Sequence, residues 1–280
     1  MYRKTKFPGF KEKALTLSYD DAVEQDVRLV NIMKKHGIKG TFNVNSGRFS
    51  SVGTVYPEGQ IVNRRMTKKE AYDLYLSNGM EVAIHGYYHP RLETLTPQEI
   101  TYEILIDKID IEKTTGKITR GMAYPYGTTS QEVVDCLKAC GILYARTVQS
   151  SNNFLISQDW LRLPATCHHN NPDLMNLAKY FVECTVHYEP LLFYLWGHSY
   201  EFEQRDNWHV IEEFCEFMGN REEIWYATNT EIFEYLEAYK QLKTSADGSI
   251  IYNPTNTELF FNVEGKNYSL LPGKTVQIEL

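Results

Sequence analysis

The sequence predicts an α/β fold of parallel βαβ units with a small all-β tail, and three observations carry that expectation. Apolar, β-prone runs alternate with helix-periodic stretches from Lys13 to Leu242. The residues best suited to chemistry, Asp20-Asp21, His85, His89, Tyr126 and His198, each follow an expected strand end. In a parallel α/β barrel those ends form one face, where active sites sit. From about Ala246 the helical period gives way to short strands separated by Glu264-Gly265-Lys266-Asn267 and Pro272-Gly273-Lys274.

In order, Leu15-Thr16-Leu17-Ser18-Tyr19 reads as the first strand and runs straight into Asp20-Asp21. Ala22 to His36 carries Val23, Val27, Val30, Ile32 and Met33 at helical spacing and closes at Gly37. Gly40 to Asn45 is the second strand, and Ser46 to Arg65 a long loop of the kind that often shapes a site. Thr67 with Glu70, and Thr96 with Glu99, are capping boxes that open the next two helices. Between them Met80 to Ile84 is a strand delivering His85 to Pro90. Gly121 to Tyr124 and Ile142 to Arg146 are strands flanking a helix over Ser130 to Cys140. The pattern weakens from Thr147 to Asn171, where Cys167-His168-His169-Asn170 reads as a turn. Asp173 to His187 can be helical. Pro190 to Trp196 is the most apolar strand; Asp206 to Met218, Ile224 to Ala227 and Glu231 to Leu242 complete the alternation as helix, strand and helix. Two units are therefore expected, a barrel over 1–245 and a β-appendage over 246–280 that covers the barrel or joins a homo-oligomer.

Composition removes several function classes. Lys+Arg 29 against Asp+Glu 36, a net charge of −7 and no basic block argue against nucleic acid as a partner. No apolar run is long enough for a membrane span, and the basic N-terminus is followed by no apolar signal core, so neither membrane nor secretion is expected. The five cysteines are odd in number and form no CxxC pair, which fits free thiols in a reducing compartment, with the cytoplasm the expected location. Twenty tyrosines and four tryptophans suit a sugar-binding cleft and an ordinary core equally.

Two adjacent carboxylates at a strand end repel each other unless a cation or a proton sits between them. Asp20-Asp21 therefore reads as a metal ligand beside a general base, or else as the N-cap of the following helix. His85-x-x-x-His89 brings two imidazoles within reach of one ion. With an aspartate it makes two nitrogens and one oxygen, and three protein ligands leave room for water and substrate, the catalytic arrangement for zinc. The same donor types accept Co²⁺, Fe²⁺ or Ni²⁺. No Gly-rich phosphate loop and no G-x-S-x-G nucleophile elbow occurs.

Four ordered stretches, Leu17-Ser18-Tyr19-Asp20-Asp21, His85-Gly86-Tyr87-Tyr88-His89-Pro90, Tyr124-Pro125-Tyr126-Gly127 and Leu195-Trp196-Gly197-His198, together resemble the polysaccharide deacetylase (NodB-like) superfamily of carbohydrate esterases. The resemblance covers roughly 12–240. It implies a distorted (β/α)7 barrel and a divalent metal, zinc first, held by Asp21, His85 and His89. It further implies Asp20 as the general base and His198 as the general acid. The Tyr126 backbone N–H would help hold the oxyanion, and Leu195 or Trp196 would wall the acetyl pocket. The implied reaction is deacetylation of an N-acetylated sugar by attack of metal-bound water on the amide carbonyl. A small non-sugar amide is the alternative substrate, and a catalytically inactive carbohydrate-binding protein the alternative class. Where such proteins often carry an arginine three residues before the motif tyrosine, this chain has Ala123; Arg146 is the substitute on offer, or else a surface charge. The leucine-to-histidine spacing is one residue longer than usual, and Asp159 is the candidate to tune the acid histidine.

Overall fold

The computed structural model describes residues 3–278. After β1 (Arg3–Lys6), the alternation runs β2 (Lys13–Asp20), α1 (Asp26–Lys35), β3 (Gly40–Val44), α2 (Lys68–Ser77), β4 (Glu81–Ile84), α3 (Pro97–Thr115), β5 (Gly121–Ala123), α4 (Gln131–Ala139) and β6 (Tyr144–Ser150). Two short strands follow, β7 (Leu163–Ala165) and β8 (Cys167–His168), then α5 (Leu174–Glu183), β9 (Leu191–Gly197), α6 (Tyr200–Gln204), α7 (His209–Met218), β10 (Ile224–Tyr226) and α8 (Asn229–Lys240). The chain ends in β11 (Lys243–Thr244), β12 (Ile250–Tyr252), β13 (Leu259–Val263), β14 (Lys266–Leu270) and β15 (Thr275–Gln277).

The parallel sheet is built around β2. One edge of β2 pairs with β9 from Lys13 to Tyr19. Its other edge is shared, with β10 against Lys13–Leu15 and β3 against Leu17–Asp20. From β3 the order continues through β4, β5 and β6 to β7, and on the far side of β9 lies β8. The two ends of this order belong to one segment, 163–168, whose first half pairs with β6 and whose second half pairs with β9. At the break, the Thr166 amide donates to the Tyr194 carbonyl at 2.8 Å. The sheet thus curls into the expected distorted (β/α)7 barrel, with 163–168 as its seam. β8 falls where a turn was expected, and β7 in the stretch whose pattern weakens. They are too short for a readable alternation, and their pairing is imposed by the neighbours on either side.

Along β2 the side chains alternate. Leu15, Leu17 and Tyr19 face the helices in a cluster with Leu29, Met33, Phe42, Tyr75, Phe193, Leu195 and Phe214. Burying each such side chain contributes about 1.5–3 kcal/mol. Thr16, Ser18 and Asp20 face the interior, where every residue of β2 is buried.

The base of the barrel is closed by α8, which a capping box of Thr228 and Glu231 begins. Asn229 reaches inside: it accepts from Thr16 Oγ1 at 3.1 Å and donates to Tyr194 OH at 2.7 Å, while its backbone N–H donates to Thr41 Oγ1 at 3.0 Å. The tail is antiparallel and recruits more than the stretch from 246. β1 pairs with β13, which pairs with β14, and β11 pairs with β12, which pairs with β15. Glu279 and Leu280, expected at the end of the last strand, lie outside the described residues.

Candidate active site

The mouth of the barrel lies at the carboxyl ends of the strands, and β2 delivers its first two residues. β2 ends at Asp20, and Asp21 takes φ 89°, in the left-handed region. A non-glycine residue there costs about 1–3 kcal/mol and persists where its surroundings hold it. Here the Asp21 amide donates to Asn43 O at 2.9 Å, while Arg65 donates to both the Asp21 carbonyl and, at 2.9 Å, its carboxylate. The kink puts two neighbouring carboxylates on one site. Neither aspartate caps a helix: α1 begins only at Asp26, after Gln25 and with no side-chain cap.

Asp20 is buried and accepts three hydrogen bonds from two residues. Arg146 approaches its oxygens at 2.6 and 2.5 Å, and Asn43 Nδ2 donates to Oδ1 at 2.8 Å. Burial alone would raise this carboxyl. The Arg146 guanidinium, with His85 and His198, outweighs burial and holds Asp20 below its ordinary value. Arg146 is 1% exposed and stacks on the Trp196 ring at 4.5 Å, so it is no surface charge. It stands in register with Ala123 on the adjacent strand, which explains how the missing cation is supplied from β6.

His85 follows β4. Its amide donates to Val44 O at 2.9 Å and contacts Asp107 Oδ2 at 3.1 Å, and its Nδ1 lies 2.8 Å from Ala123 O. A carbonyl only accepts, so Nδ1 carries the proton and Nε2 is bare. His89, at φ 60°, brings its Nε2 to 3.1 Å from that of His85. Burial, reinforced by His85, lowers His89 to about 4, and burial likewise lowers His85. Ligand atoms of Asp21, His85 and His89 all lie within 4.8 Å of one another. Two neutral imidazoles whose Nε2 atoms converge beside a carboxylate, one ring fixed by a carbonyl behind it, fit a divalent cation.

His198 follows β9 and faces this group. Its Nε2 lies 3.8 Å from Asp20 Oδ2, the same distance as His85 Nε2. Its Nδ1 donates to Glu201 Oε1 at 2.8 Å. Burial pushes His198 down, but the Glu201 hydrogen bond and the two aspartates outweigh it and leave the imidazole above its ordinary value. Tyr126 sits at φ 59° in the turn after β5, half exposed, with its ring 4.6 Å from that of His89.

The structure brings Asp20, Asp21, His85, His89, Arg146, Trp196 and His198 together at the mouth. Leu195 does not join them: it is fully buried on the helix-facing side of β9, and only Trp196 of that pair faces the interior. Asp159 is also elsewhere, capping Trp160–Arg162 and pairing with Arg162. The partner of His198 is Glu201, missed from sequence although an H-x-x-E spacing could have signalled it. Arg65, Asn43 and Asp107 were missed too, since nothing local distinguishes them from loop or core residues. The Cys167–Asn170 stretch is a strand and its exit rather than a plain turn, and His168 and His169 both approach Glu201, at 3.5 and 3.4 Å.

The polysaccharide deacetylase family profile matches residues 8–145. A peptidoglycan-N-acetylglucosamine deacetylase, PgdA of Listeria monocytogenes, is 29% identical over 125 residues, 44% of this chain and 23% of the relative. The chain thus matches about a quarter of that relative's length. A polysaccharide deacetylase candidate from Mycobacterium smegmatis has a similar structure, with a TM-score of 0.59 at 16% identity, covering 86% of this chain and 95% of the other. A CE4 domain of a multidomain xylanase from the hindgut metagenome of Trinervitermes trinervoides follows at 0.50 and 14%, covering 81% and 92%. These two likenesses speak to the fold.

Proposed function

We propose that this chain, which over residues 8–145 belongs to the polysaccharide deacetylase family, hydrolyses the N-acetyl amide of a sugar or oligosaccharide. One observation carries the reading: a buried aspartate kept anionic by Arg146 faces a histidine whose other nitrogen is held by a carboxylate, beside a convergent His-His-Asp set. Asp20 accepts the proton of the attacking water, and Arg146 and Asn43 keep its lone pairs aimed and its charge in place. The water oxygen bonds to the acetyl carbon, the carbon–nitrogen bond breaks, and His198 gives the departing amine its proton from Nε2. The Tyr126 backbone N–H donates to the oxyanion, and Trp196 walls the acyl side. Asp21, His85 and His89 would hold a divalent metal, zinc being best suited; when bound it supplies Lewis-acid polarisation of the carbonyl and a more acidic water.

Hydrolysis of a small non-sugar amide is the second reading, favoured by the acyl-side wall, which presents an indole rather than Leu195. The test is acetate release from a panel of N-acetylated sugars, with metal content, for the wild type, Asp20→Asn and His198→Ala. Stoichiometric metal and a loss of kcat of about 10²–10⁴-fold in each variant are expected. Metal bound without acetate from any sugar moves the assignment to another amide. Failure to take up zinc or cobalt overturns the enzyme reading in favour of a carbohydrate-binding protein.

A further inference from the structure

Behind His198 lies a buried polar chain that the reaction as read above does not use. Glu201 Oε1 holds His198 Nδ1, and its other oxygen, Oε2, is approached from the seam of the barrel. Asn170 Nδ2 donates to it at 2.6 Å; His169 Nε2 lies 3.4 Å away and His168 Nε2 3.5 Å away. The group of His168, His198 and Glu201 has the outline of a second metal set. The hydrogen bonds say otherwise. The Asn170 amide donates to His168 Nδ1 at 3.1 Å, so the proton of a neutral His168 sits on Nε2 and points at the carboxylate.

His169 is the deepest member. It is fully buried, its ring stacked near Tyr19 (centroids 5.7 Å) and Phe202 (4.0 Å). Its Nδ1 lies 3.3 Å from Tyr19 OH. Burial lowers His169 to about 4, so the Tyr19 hydroxyl faces a neutral imidazole. The phenol donates to Nδ1, which leaves the imidazole proton on Nε2, toward Glu201. Close polar contacts then run from Tyr19 of β2 through His169, whose Nε2 is 3.4 Å from Glu201, to His198.

Gly197 is shaped to this chain. A Cβ there would lie 2.0 Å from His169 Nδ1, so only glycine leaves the ring its seat. This glycine stands in the Leu195-to-His198 stretch whose spacing is one residue longer than expected.

We propose that His169 is a positioning residue for the proton donor His198, acting through Glu201 and admitted by Gly197. The inference rests on the reading of His198 as proton donor. A carboxylate whose far oxygen is occupied cannot swing, and it fixes both the plane and the tautomer of His198, with Nε2 toward Asp20.

A general acid matters when the leaving group is basic, and little when it departs as a stable anion. The experiment compares the wild type, His198→Ala, His169→Phe and Gly197→Ala on a series of acetyl compounds, from N-acetylglucosamine oligomers through acetanilides to aryl acetate esters. Thermal midpoints are recorded for each. His169→Phe keeps the ring's volume and stacking without its N–H, and Gly197→Ala displaces the ring without altering it. Both are expected to lose about tenfold or more in kcat on the amide, with KM within about twofold, and under about twofold on the ester. His198→Ala is expected to show the same pattern more steeply. Equal losses on amide and ester, or none on either, in both His169→Phe and Gly197→Ala overturn the inference while His198→Ala still separates the two substrates. If His198→Ala itself loses both alike, the proton-donor reading falls and this inference with it.

Discussion

At the base of the barrel, Asn229 divides its side chain between Thr16 and Tyr194, whereas at the mouth Asp20 is met by Arg146, Asn43 and two histidines at 3.8 Å. Both are buried polar residues on the axis of the same sheet. At the base Asn229 meets only neutral groups, the nearby Glu81 carboxylate is taken up by Thr41 and Thr230, and these bonds hold α8 in place. The mouth is charged, and it keeps His85 Nε2 as a bare acceptor, converging with His89 Nε2 and the Asp21 carboxylate. Saturated polar groups stabilise; unsaturated, convergent ones react. Backbone geometry shows the same division, with Asp21, Ala22, His89 and Tyr126 all at positive φ around the mouth.

The sharpest way to break this contrast is to remove the cation that holds Asp20. Arg146→Met leaves Asp20 buried without its counter-charge, and about 3–5 kcal/mol of stability should be lost in urea unfolding. Activity should drop by about 10²-fold or more, because a carboxyl released from Arg146 takes up a proton more readily and serves poorly as a base. At the base, Asn229→Ala strands the hydroxyls of Thr16 and Tyr194. The expected cost is about 1–3 kcal/mol, with kcat within about twofold of the wild type. A base variant that abolished turnover without unfolding the protein would erase the distinction drawn here.

A smaller effect sharpens it. Asp26 lies buried at the start of α1, accepting from Ser199 Oγ at 2.5 Å and Tyr75 OH at 2.6 Å, and burial raises it to about 7. The unfolded chain sheds this proton near the ordinary 3.8, so between that pH and about 7 the folded state binds more protons than the unfolded state. Stability from neutral Asp26 is therefore complete at low pH, declines as pH rises toward about 7, and is flat above. Asp26→Asn should flatten that part of the curve, read as thermal midpoints between about pH 4 and about pH 8.

Much of this could be read from residues in order. Asp20-Asp21, His85-x-x-x-His89 and Gly197-His198 fall after strands whose periodicity is plain, and parallel βαβ chirality gathers strand ends on one face. Capping boxes at Thr67 and Thr96 start their helices where expected, since that chemistry is local. Arg146 was open between a surface charge and a partner for the base, and the choice lay in its register with Ala123 on the next strand. Leu195 and Trp196 were both on offer for the acyl wall, and which of them faces the interior depends on the pairing of β9 with Leu17 and Ser18.

The sequence by itself determined which residues could carry the chemistry and roughly where each strand would deliver them, because donor type and hydrophobic period are written locally. Only the tertiary structure decided which cation holds Asp20, which of Leu195 and Trp196 faces the interior, and that 163–168 is the seam of the barrel. Those contacts join residues up to 126 positions apart in the chain, Asp20 and Arg146 among them. Their selection is made by sheet order and by the cost of burying a charge without a partner, neither of which leaves a local pattern.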